Sequence, residues 1–274
     1  VSVGDRVAVP FTLGDGTCPH CQQGLGNVCE NGVPLGFTPV AQGAFAEQFA
    51  VPYADQNAVE LPEGVDATEM AGLGCRFTTA FHGVAHRADL APGDWVAVHG
   101  CGGVGLSAVH VADALGGRVI AVDLDDEALD FARDLGAEVT VDASGVDDVP
   151  GEIRDVTDGG ADVAVDALGV AETCRNAVKS LGTRGQHVQI GLTTSEEGGE
   201  VPLPTDRMVL TEIEFIGSYG MQPARYDEIF RMIATDKIDP SKVVSETVPL
   251  EATSEKLAAM TDYETVGIPV IDEF

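Results

Sequence analysis

Three cysteines and an aspartate near the start of the chain have the spacing of metal ligands. The pattern is Asp15-x2-Cys18-x2-Cys21-x7-Cys29, in a glycine-rich stretch. Thiolates are common zinc ligands, and a carboxylate can complete a tetrahedral site. We therefore predict a structural zinc at these four residues. His20 is a rival for the fourth position. A third interpretation is that the cysteines remain from a lost site, in a loop that folds without metal.

A second motif lies near the middle of the chain, where residues 100–105 read Gly-Cys-Gly-Gly-Val-Gly. A β-like run, Trp95–His99, precedes it and a helix-like stretch, Val104–Leu115, follows it. In this context G-x-G-x-x-G indicates a dinucleotide-binding turn, in which a helix N terminus faces the pyrophosphate. The alternative is a turn that only packs a strand against a helix. We predict that the motif contacts the cofactor through Gly100, Gly102, Gly103, Val104 and Gly105.

The next β-like run, Arg118–Asp123, ends in an acid eighteen residues after Gly105. A carboxylate at this position accepts hydrogen bonds from the ribose hydroxyls and repels a 2′-phosphate. The residues that follow Asp123 are Leu124 and three acids, without an arginine or lysine. The predicted cofactor is therefore NAD rather than NADP. We interpret the acids at 125–127 as a solvated surface.

The charge of the chain excludes several classes of partner. There are 45 acidic and 15 basic residues, for a net charge of −30. Nucleic acids and anionic membranes both need basic patches, so neither is an expected partner.

No apolar run approaches the roughly 18 residues that span a bilayer, and we expect a cytoplasmic protein. In that compartment clustered cysteines indicate metal before disulfide. The acid excess favours an acidic surface suited to high salt, as in a halophile.

The pattern of elements predicts an α/β fold. From residue 95 to about 219, β-rich runs alternate with helical stretches, which indicates a doubly wound parallel sheet with helices on both faces. Residues 1–65 are rich in glycine and proline with short β-like runs, which indicates a β-rich domain. Asp66 to Glu69 resembles a capping box that opens a helix toward Phe81. Another helix is predicted at 223–235. Further strands are predicted at Glu138–Val141, Asp162–Asp166, Gln186–Ile190 and Ile213–Ile216.

Several of these motifs together resemble the zinc-dependent, medium-chain alcohol dehydrogenases. The resemblance rests on the cysteine-rich loop, on residues 72–80 (Gly-Leu-Gly-Cys-Arg-Phe-Thr-Thr-Ala), and on the glycine loop that follows Ala-Pro-Gly-Asp at 91–94. Residues 3–7 (Val-Gly-Asp-Arg-Val) and 43–47 (Gly-Ala-Phe-Ala-Glu) match the same family. The resemblance implies a GroES-like catalytic domain, here partial, at 1–76 and 220–274. An NAD-binding Rossmann domain at 77–219 would lie between these two segments.

The resemblance also implies an activity and site residues. The family transfers hydride between an alcohol, or a polyol or sugar, and NAD, with a catalytic zinc that polarises the alcohol oxygen. Cys75 matches one ligand of that zinc, and Thr79 matches a residue near the nicotinamide ring. Ile190 and Leu192 fall beside the carboxamide. A homodimer or homotetramer is implied, paired through the sheet edge at Ile213–Ile216. The adenosine side of the cofactor would be lined by Leu124, Ala167 and Leu168.

The chain departs from the family pattern in two places. Asp15 stands where the family has the first cysteine of the structural zinc loop. The family's N-terminal portion, with the other catalytic zinc ligands and the start of the proton relay, is absent from these 274 residues. Because Cys75 alone cannot hold a catalytic zinc, we expect little or no activity from this truncated chain. The alternatives are an NAD-binding module without turnover and a zinc-free reductase of the same superfamily.

The remaining histidines and cysteines have no predicted chemistry. His82 and His86 follow Cys75 on the same predicted helix, where we interpret them as residues of the helix face that point along it. Cys101 occupies a variable position of the glycine loop, and Cys174 is expected to pack on a helix. We expect both thiols to be buried and inert.

Overall fold

The structure is a computed structural model that describes residues 1–261 and 265–274. The chain forms two compact units, each with its own internal contacts. The first unit comprises Val1–Thr78 and Tyr219–Phe274, and the second comprises Thr79–Ser218. The domain boundaries predicted from the sequence lie after residues 76 and 219.

The N-terminal part of the first unit contains short strands held by long loops. β1 pairs with β4 and β2 pairs with β3, both antiparallel, and each strand has two residues. Glycine and proline are frequent in this part of the chain, and both residues interrupt regular strands. A single 3₁₀ turn lies at Gly26–Val28. The elements are β1 Val7–Ala8, β2 Thr12–Leu13, α1 Pro19–Gln22, β3 Val33–Pro34, α2 Ala54–Asn57, β4 Val59–Glu60 and α3 Ala67–Gly72.

The helix predicted from Asp66 toward Phe81 begins as expected but is not continuous. The Asp66 carboxylate accepts hydrogen bonds from the backbone N–H groups of Thr68 (2.8 Å) and Glu69 (3.3 Å), which confirms the N-cap. Beyond α3, Gly74 leaves the helical conformation with ψ of −165°. The prediction of one helix is therefore wrong at this glycine, whose backbone is less restricted than that of other residues. The chain continues through a wide turn, Leu73–Phe77, then α4 Thr78–His82, and a second wide turn, Gly83–Arg87.

The second unit contains a six-stranded sheet in which every pairing is parallel. The strand order is β10-β9-β8-β5-β6-β7, which confirms the doubly wound Rossmann fold. One boundary differs clearly from its prediction, because β9 begins at Leu181 rather than Gln186 and ends before Ile190. The elements are β5 Trp95–His99, α5 Gly103–Ala114, β6 Arg118–Asp123, α6 Asp126–Asp134, β7 Ala137–Asp142, α7 Val149–Thr157, β8 Ala161–Asp166, α8 Ala171–Ser180, β9 Leu181–Gln189, α9 Thr205–Leu210 and β10 Glu214–Gly217.

The order of the strands reverses between β5 and β8, which are neighbours in the sheet. Right-handed crossovers place α5 and α6 on one face of the sheet and α7 and α8 on the other. Strands covered on both faces need apolar side chains throughout, and β5 and β6 are almost entirely buried. Ligands bind outside the carboxyl ends of the strands at such a reversal. The loops after His99 and Asp166 meet there.

The last part of the first unit contains α10, α11 and a small parallel sheet of β11 and β12. α10 confirms the helix predicted at 223–235, and its buried face includes Tyr226, Ile229 and Phe230. Short 3₁₀ turns lie at Pro223–Arg225, Pro240–Val243 and Leu250–Ala252. Among the described residues, no helix has both the length and the apolar character needed to cross a bilayer. The elements are α10 Tyr226–Ala234, β11 Val244–Pro249, α11 Thr253–Thr261 and β12 Ile268–Glu273.

Candidate functional site

The four predicted zinc ligands lie together in the first unit. One ligand atom from each of Asp15, Cys18, Cys21 and Cys29 lies within 4.8 Å of the other three. All six cysteines of the chain are free thiols, so no disulfide competes with this arrangement. His20 is half exposed, and its Nε2 lies 3.8 Å from Oε1 of Glu30 instead.

The spacing of these atoms suits a tetrahedral zinc. Bonds of about 2.3 Å to sulfur and 2.0 Å to oxygen place two sulfurs about 3.8 Å apart and a sulfur and an oxygen about 3.5 Å apart. Cys18 Sγ lies 3.8 Å from Cys29 Sγ, and Cys29 Sγ lies 3.4 Å from Asp15 Oδ1. The donor set of this loop therefore fits zinc, with the carboxylate in the fourth position.

Local hydrogen bonds hold the Asp15 carboxylate in its charged form. Oδ1 accepts the backbone N–H of Thr17 at 2.8 Å, and Oδ2 accepts Thr17 Oγ1 and Asn31 Nδ2, each at 2.8 Å. These bonds, led by the one from the Thr17 backbone, hold the pKa of Asp15 far below its usual range. A permanently charged oxygen is the form that binds zinc.

The thiols of the loop have unequal proton affinities. Burial, reinforced by the neighbouring Cys29, raises the pKa of Cys21 to about 12. Cys18 caps α1 by accepting the N–H of Cys21 at 3.4 Å, and such backbone hydrogen bonds lower its pKa. A cation bound among the four ligands would lower the pKa of Cys21, because it favours the thiolate over the thiol.

A buried asparagine that the sequence analysis did not single out supports the loop from the other side. Asn57 is 1% exposed, and its amide exchanges two hydrogen bonds of 2.9 Å with the backbone of Gly14. A Cβ at Gly14 would lie 3.1 Å from Cys21 Sγ. Asn57 thus fixes the residue before Asp15, where any larger residue would press against the thiol of Cys21.

The glycine loop connects β5 to α5 in the second unit, at the place that the motif predicts. Gly100 has a φ of +88°, which favours glycine. A Cβ at Gly105 would overlap the carbonyl oxygen of Gly100, so this glycine is required by the loop itself. A Cβ at Gly102 would meet no protein atom within 4 Å. Gly102 and Gly103 begin α5 at this open space, so the cradle suits a phosphate group that approaches the backbone closely.

Asp123 is the last residue of β6, beside the glycine loop. Its carboxylate accepts the backbone N–H of Cys101 through Oδ2, and those of Leu124 (2.7 Å) and Asp125 (3.1 Å) through Oδ1. Each carboxylate oxygen has two lone-pair directions, so acceptor capacity is left for a ribose hydroxyl. The predicted acid therefore has a second task, which is to hold the glycine loop in place.

Two turns at the same edge of the sheet contain the other predicted cofactor residues. Ala167 and Leu168 follow β8, and a Cβ at Gly100 would lie 3.2 Å from Leu168 Cβ. Ile190 and Leu192 follow β9, where Ile190 is buried and Leu192 is 79% exposed. Leu124 is also largely exposed. The fold of this unit thus brings the glycine loop and the predicted adenosine-side residues together.

The comparisons with known proteins agree with this architecture. The family model described as "Alcohol dehydrogenase GroES-like domain" matches residues 1–63, and "Zinc-binding dehydrogenase" matches residues 103–235. An alcohol dehydrogenase of Moraxella sp. (strain TAE123) is 35% identical over 274 residues, which cover 99% of this chain and 77% of that protein. The chain belongs to the zinc-type medium-chain alcohol dehydrogenase family.

Solved structures of this family have the same fold. The alcohol dehydrogenase of Thermus sp. ATN1 superimposes with a TM-score of 0.87 at 30% identity, covering 97% of this chain and 77% of that one. A structure described as an NAD-dependent alcohol dehydrogenase gives a TM-score of 0.86 at 29% identity, covering 100% of this chain and 77% of that one.

Cys75, which the family resemblance predicts as a catalytic zinc ligand, lies in the wide turn after Gly74 and is exposed. In residues 1–261 and 265–274, one group of three or more His, Cys, Asp or Glu side chains has metal-site spacing, and it is the Asp15 loop. Cys75 is not in that group. The donor set at Cys75 therefore does not fit a catalytic zinc within the part of the chain that the structure describes.

Thr79 and the two histidines lie in the second unit. Thr79 is 9% exposed and His82 is 6% exposed. The Nδ1 atoms of His82 and His86 are 3.1 Å apart, a contact that the sequence analysis did not predict. It forms where the backbone widens at Gly83–Arg87, which changes the directions of side chains four residues apart.

Cys101 and Cys174 are the buried thiols that the sequence predicted, with exposures of 1% and 2%. Burial raises the pKa of both thiols, that of Cys174 to about 11. Since the thiolate is the reactive form, neither cysteine is poised for chemistry.

Proposed function

We propose that this chain binds NAD at the carboxyl edge of its parallel sheet, as part of an enzyme that transfers hydride between an alcohol and NAD. The observation that carries the proposal is the open backbone at Gly102, beside a carboxylate at the end of the next strand. A 2′-phosphate on the ribose would meet the carboxylate of Asp123, and no arginine or lysine follows at 124–127. The electrostatics therefore favour NAD over NADP.

Each predicted residue has a part in holding the cofactor. The N–H groups of residues 102–105 at the start of α5 would bind the pyrophosphate, and Asp123 would accept ribose hydroxyls. Ala167 and Leu168 would flank the adenosine, and Ile190 and Leu192 would flank the carboxamide. Thr79 would lie near the nicotinamide ring. Bound NAD supplies the hydride acceptor of the reaction.

Titration with NADH and NADPH, followed by nicotinamide fluorescence, tests the cofactor. We expect NADH to bind at least about tenfold more tightly, a difference of about 1.4 kcal/mol. Asp123→Asn removes the charge that excludes the 2′-phosphate and should narrow that preference. Asp126→Asn, the same charge change on an exposed residue of α6, should leave it unchanged. Equal or tighter binding of NADPH by the wild-type chain would refute the NAD assignment.

A second candidate function is NAD binding without turnover. Among the described residues, Cys75 belongs to no group of three or more side chains with metal-site spacing. Reduction of NAD by a series of alcohols, with added zinc and the 274-residue chain, separates the two. We expect NADH binding and little or no reduction. Rapid zinc-dependent reduction that is lost in Cys75→Ala would establish the dehydrogenase within this chain and exclude the binding module.

We also propose a structural zinc at Asp15, Cys18, Cys21 and Cys29. Its role would be to fix a loop that has almost no regular secondary structure of its own. Metal analysis of protein purified without chelator should give one zinc per chain. Protein with less than a tenth of an equivalent of zinc would exclude this site.

The sheet edge at β10 is proposed as the pairing surface of a homodimer. Among the described residues, β10 has one neighbour in the sheet, β9. Phe215 on β10 is exposed, as are Val209 and Leu210 on α9 just before the strand. Val209→Glu should reduce the mass measured by light scattering to that of one chain. Val156→Glu, on α7 of the same unit, is the matched control and should leave the mass unchanged. A wild-type chain that is already monomeric would contradict the pairing.

A further inference from the structure

Asp166, the last residue of β8, has a carboxylate that is fully buried. The residue is 0% exposed, and among the described residues the structure records no salt bridge to it. Four neutral donors surround the carboxylate instead. Oδ1 accepts the backbone N–H groups of Leu168 and Gly169 and the hydroxyl of Thr173, each at 3.0 Å, and Oδ2 accepts Gln189 Nε2 at 2.8 Å. Burial of an unpaired carboxylate is costly, and these hydrogen bonds offset that cost.

The bonds of Asp166 join the two turns that would flank the cofactor. Leu168 and Gly169 belong to the turn after β8. Gln189 ends β9, and its Nε2 also donates to the carbonyl of Gly191 at 2.8 Å. The carbonyl of Asp166 accepts the N–H of Gly191 at 2.9 Å. A Cβ at Gly169 would overlap the backbone of Leu192, so the turns interlock closely. The Asp166 side chain is therefore bonded to the first turn directly and to the second through Gln189.

The first of these turns also rests against the glycine loop. The N–H of Ala167 donates to the carbonyl of His99, the residue before the loop, at 3.0 Å. A Cβ at Gly105 would lie 3.5 Å from Ala167 Cβ. A shift of the 167–169 turn would therefore displace the backbone of the glycine loop, which is predicted to face the pyrophosphate.

The same bonds determine the orientation of an amide and the tautomer of a histidine. Asp166 Oδ2 and the Gly191 carbonyl are both acceptors, so the Gln189 atom between them must be the NH2 group. Gln189 Oε1 then faces His187 Nε2 at 2.8 Å, and that nitrogen must carry the proton. Burial lowers the pKa of His187, which keeps the ring neutral. His187 is therefore the Nε2–H tautomer.

We propose that Asp166 is a positioning residue of the cofactor site, which holds both flanking turns against the glycine loop and, through Gln189, fixes the tautomer of His187. The first part of the inference, the positioning of the two turns, rests on the proposed NAD binding. The second part, the tautomer of His187, concerns the protein alone and can be measured without cofactor.

Asp166→Asn separates this role from general stability. Three donors face Oδ1, so the amide oxygen of the new side chain must stay there and its NH2 group must face Gln189. Two NH2 groups cannot bond to each other, so we expect the Gln189 amide to rotate and to give up its bond to the Gly191 carbonyl. Its NH2 group then donates to His187 Nε2, which moves the proton of His187 to Nδ1. A substitution that only loosened the fold would not exchange one tautomer for the other.

The experiment records the ring ¹⁵N shifts of His187 and the Kd of NADH in three proteins: wild type, Asp166→Asn and Thr173→Val. The His187 signals are assigned by their loss in His187→Gln. Thr173→Val also removes one donor from the carboxylate but leaves Gln189 untouched. We expect the Nε2–H tautomer in wild type and Thr173→Val, and the Nδ1–H tautomer in Asp166→Asn. NADH binding should weaken at least tenfold in Asp166→Asn and less than threefold in Thr173→Val.

An unchanged tautomer in folded Asp166→Asn, or NADH binding within twofold of wild type, overturns the proposal. If Asp166→Asn does not fold, Gln189→Leu replaces it. That variant removes the link to the second turn while three donors remain on Asp166, and it should also weaken NADH binding. Unchanged binding in Gln189→Leu overturns the proposal. A wild-type chain that binds no NADH refutes the proposed function instead, and the tautomer comparison still tests the network.

Discussion

Asp15 is the residue that distinguishes the proposed zinc site from a site of cysteines alone. A thiolate would give zinc a softer ligand, but the carboxylate is already charged and oriented by Thr17 and Asn31. Its oxygen lies at the distance from Cys29 Sγ that a tetrahedral zinc requires. The hydrogen bonds that lower its pKa are thus the ones that aim it at the three thiols.

Replacement of Asp15 tests whether its oxygen is a ligand. Asp15→Ala should weaken zinc binding at least about tenfold, and Asp15→Cys should strengthen it. His20→Ala is the matched control, because His20 is the adjacent alternative ligand and should have no effect. Competition with a chromophoric chelator measures the affinities. Loss of zinc from His20→Ala with retention in Asp15→Ala would assign the fourth position to the histidine.

His99, at the end of β5, gives the second unit a sensitivity to acid. Burial, with a smaller contribution from nearby His187, lowers the pKa of His99 to about 3. In the unfolded chain the ordinary pKa of about 6.5 applies, so acid protonates the unfolded state first. Stability that is complete above pH 6.5 is therefore lost as pH falls toward 3, by at most about 1.4 kcal/mol per pH unit for this group.

Urea unfolding at pH 7, 6 and 5 measures this slope. His99→Leu removes the group, whose Nε2 has no hydrogen-bond partner among the described residues. We expect the free energy of unfolding of the variant to fall less steeply with acid than that of the wild type. Parallel slopes for the two proteins would show that His99 takes up its proton equally in both states.

At the scale of the element, the glycines of the loop have different roles, because one is required by the fold and another leaves room for the ligand. Gly105 is required because a Cβ would collide with Gly100, whereas Gly102 faces open space with an ordinary φ of −73°. The sequence motif treats these glycines alike. The structure assigns one to packing and the other to the approach of a phosphate.

Two alanine substitutions exploit this difference. Gly102→Ala should leave the melting temperature within a few degrees of wild type but weaken NADH binding at least about tenfold, since the methyl group occupies the phosphate cradle. Gly105→Ala should lower the melting temperature markedly, because backbone must move. Differential scanning fluorimetry and NADH titration give both values. Undiminished NADH binding by Gly102→Ala would place the pyrophosphate elsewhere.

At the scale of the whole molecule, the net charge of −30 dominates. The carboxylates are spread along the chain, and most of the recorded ion pairs are exposed ones such as Arg118 with Glu138. Exposed pairs contribute little to stability, so they do not offset the mutual repulsion of the unpaired acids. Salt screens that repulsion within about 3 Å at 1 M, against about 30 Å at 0.01 M.

Thermal stability should therefore rise with salt. We expect the melting temperature in 2 M KCl to exceed that in 10 mM KCl by about 10 °C or more, since a change of 1 kcal/mol moves it by about 2–4 °C in chains of this size. Sucrose at equal osmolality controls for exclusion of solutes from the surface and should give a smaller rise. Full stability after dialysis into dilute buffer would rule out a requirement for salt.

The parts that the sequence predicted well are those in which a local pattern has one physical solution. Strand β6 and strand β5 have the predicted bounds, because apolar runs of that length between turns must be buried strands. The grouping of Asp15, Cys18, Cys21 and Cys29 was predicted from their spacing in the sequence alone. The prediction of a continuous helix from Asp66 failed because the backbone of Gly74 can be helical or non-helical, and its neighbours in the sequence do not show which conformation it adopts.

By itself the sequence determined the parallel α/β fold, the glycine loop with its acid, and the composition of the zinc loop, since each is written in residues close together along the chain. Only the tertiary structure decided what Asp166, Gln189 and Asn57 do. Asp166 is at a strand end in the sequence like several other acids, and its partner Gln189 lies on a separate strand. Buried hydrogen bonds between distant segments leave no local pattern, because their partners meet only after the chain has folded.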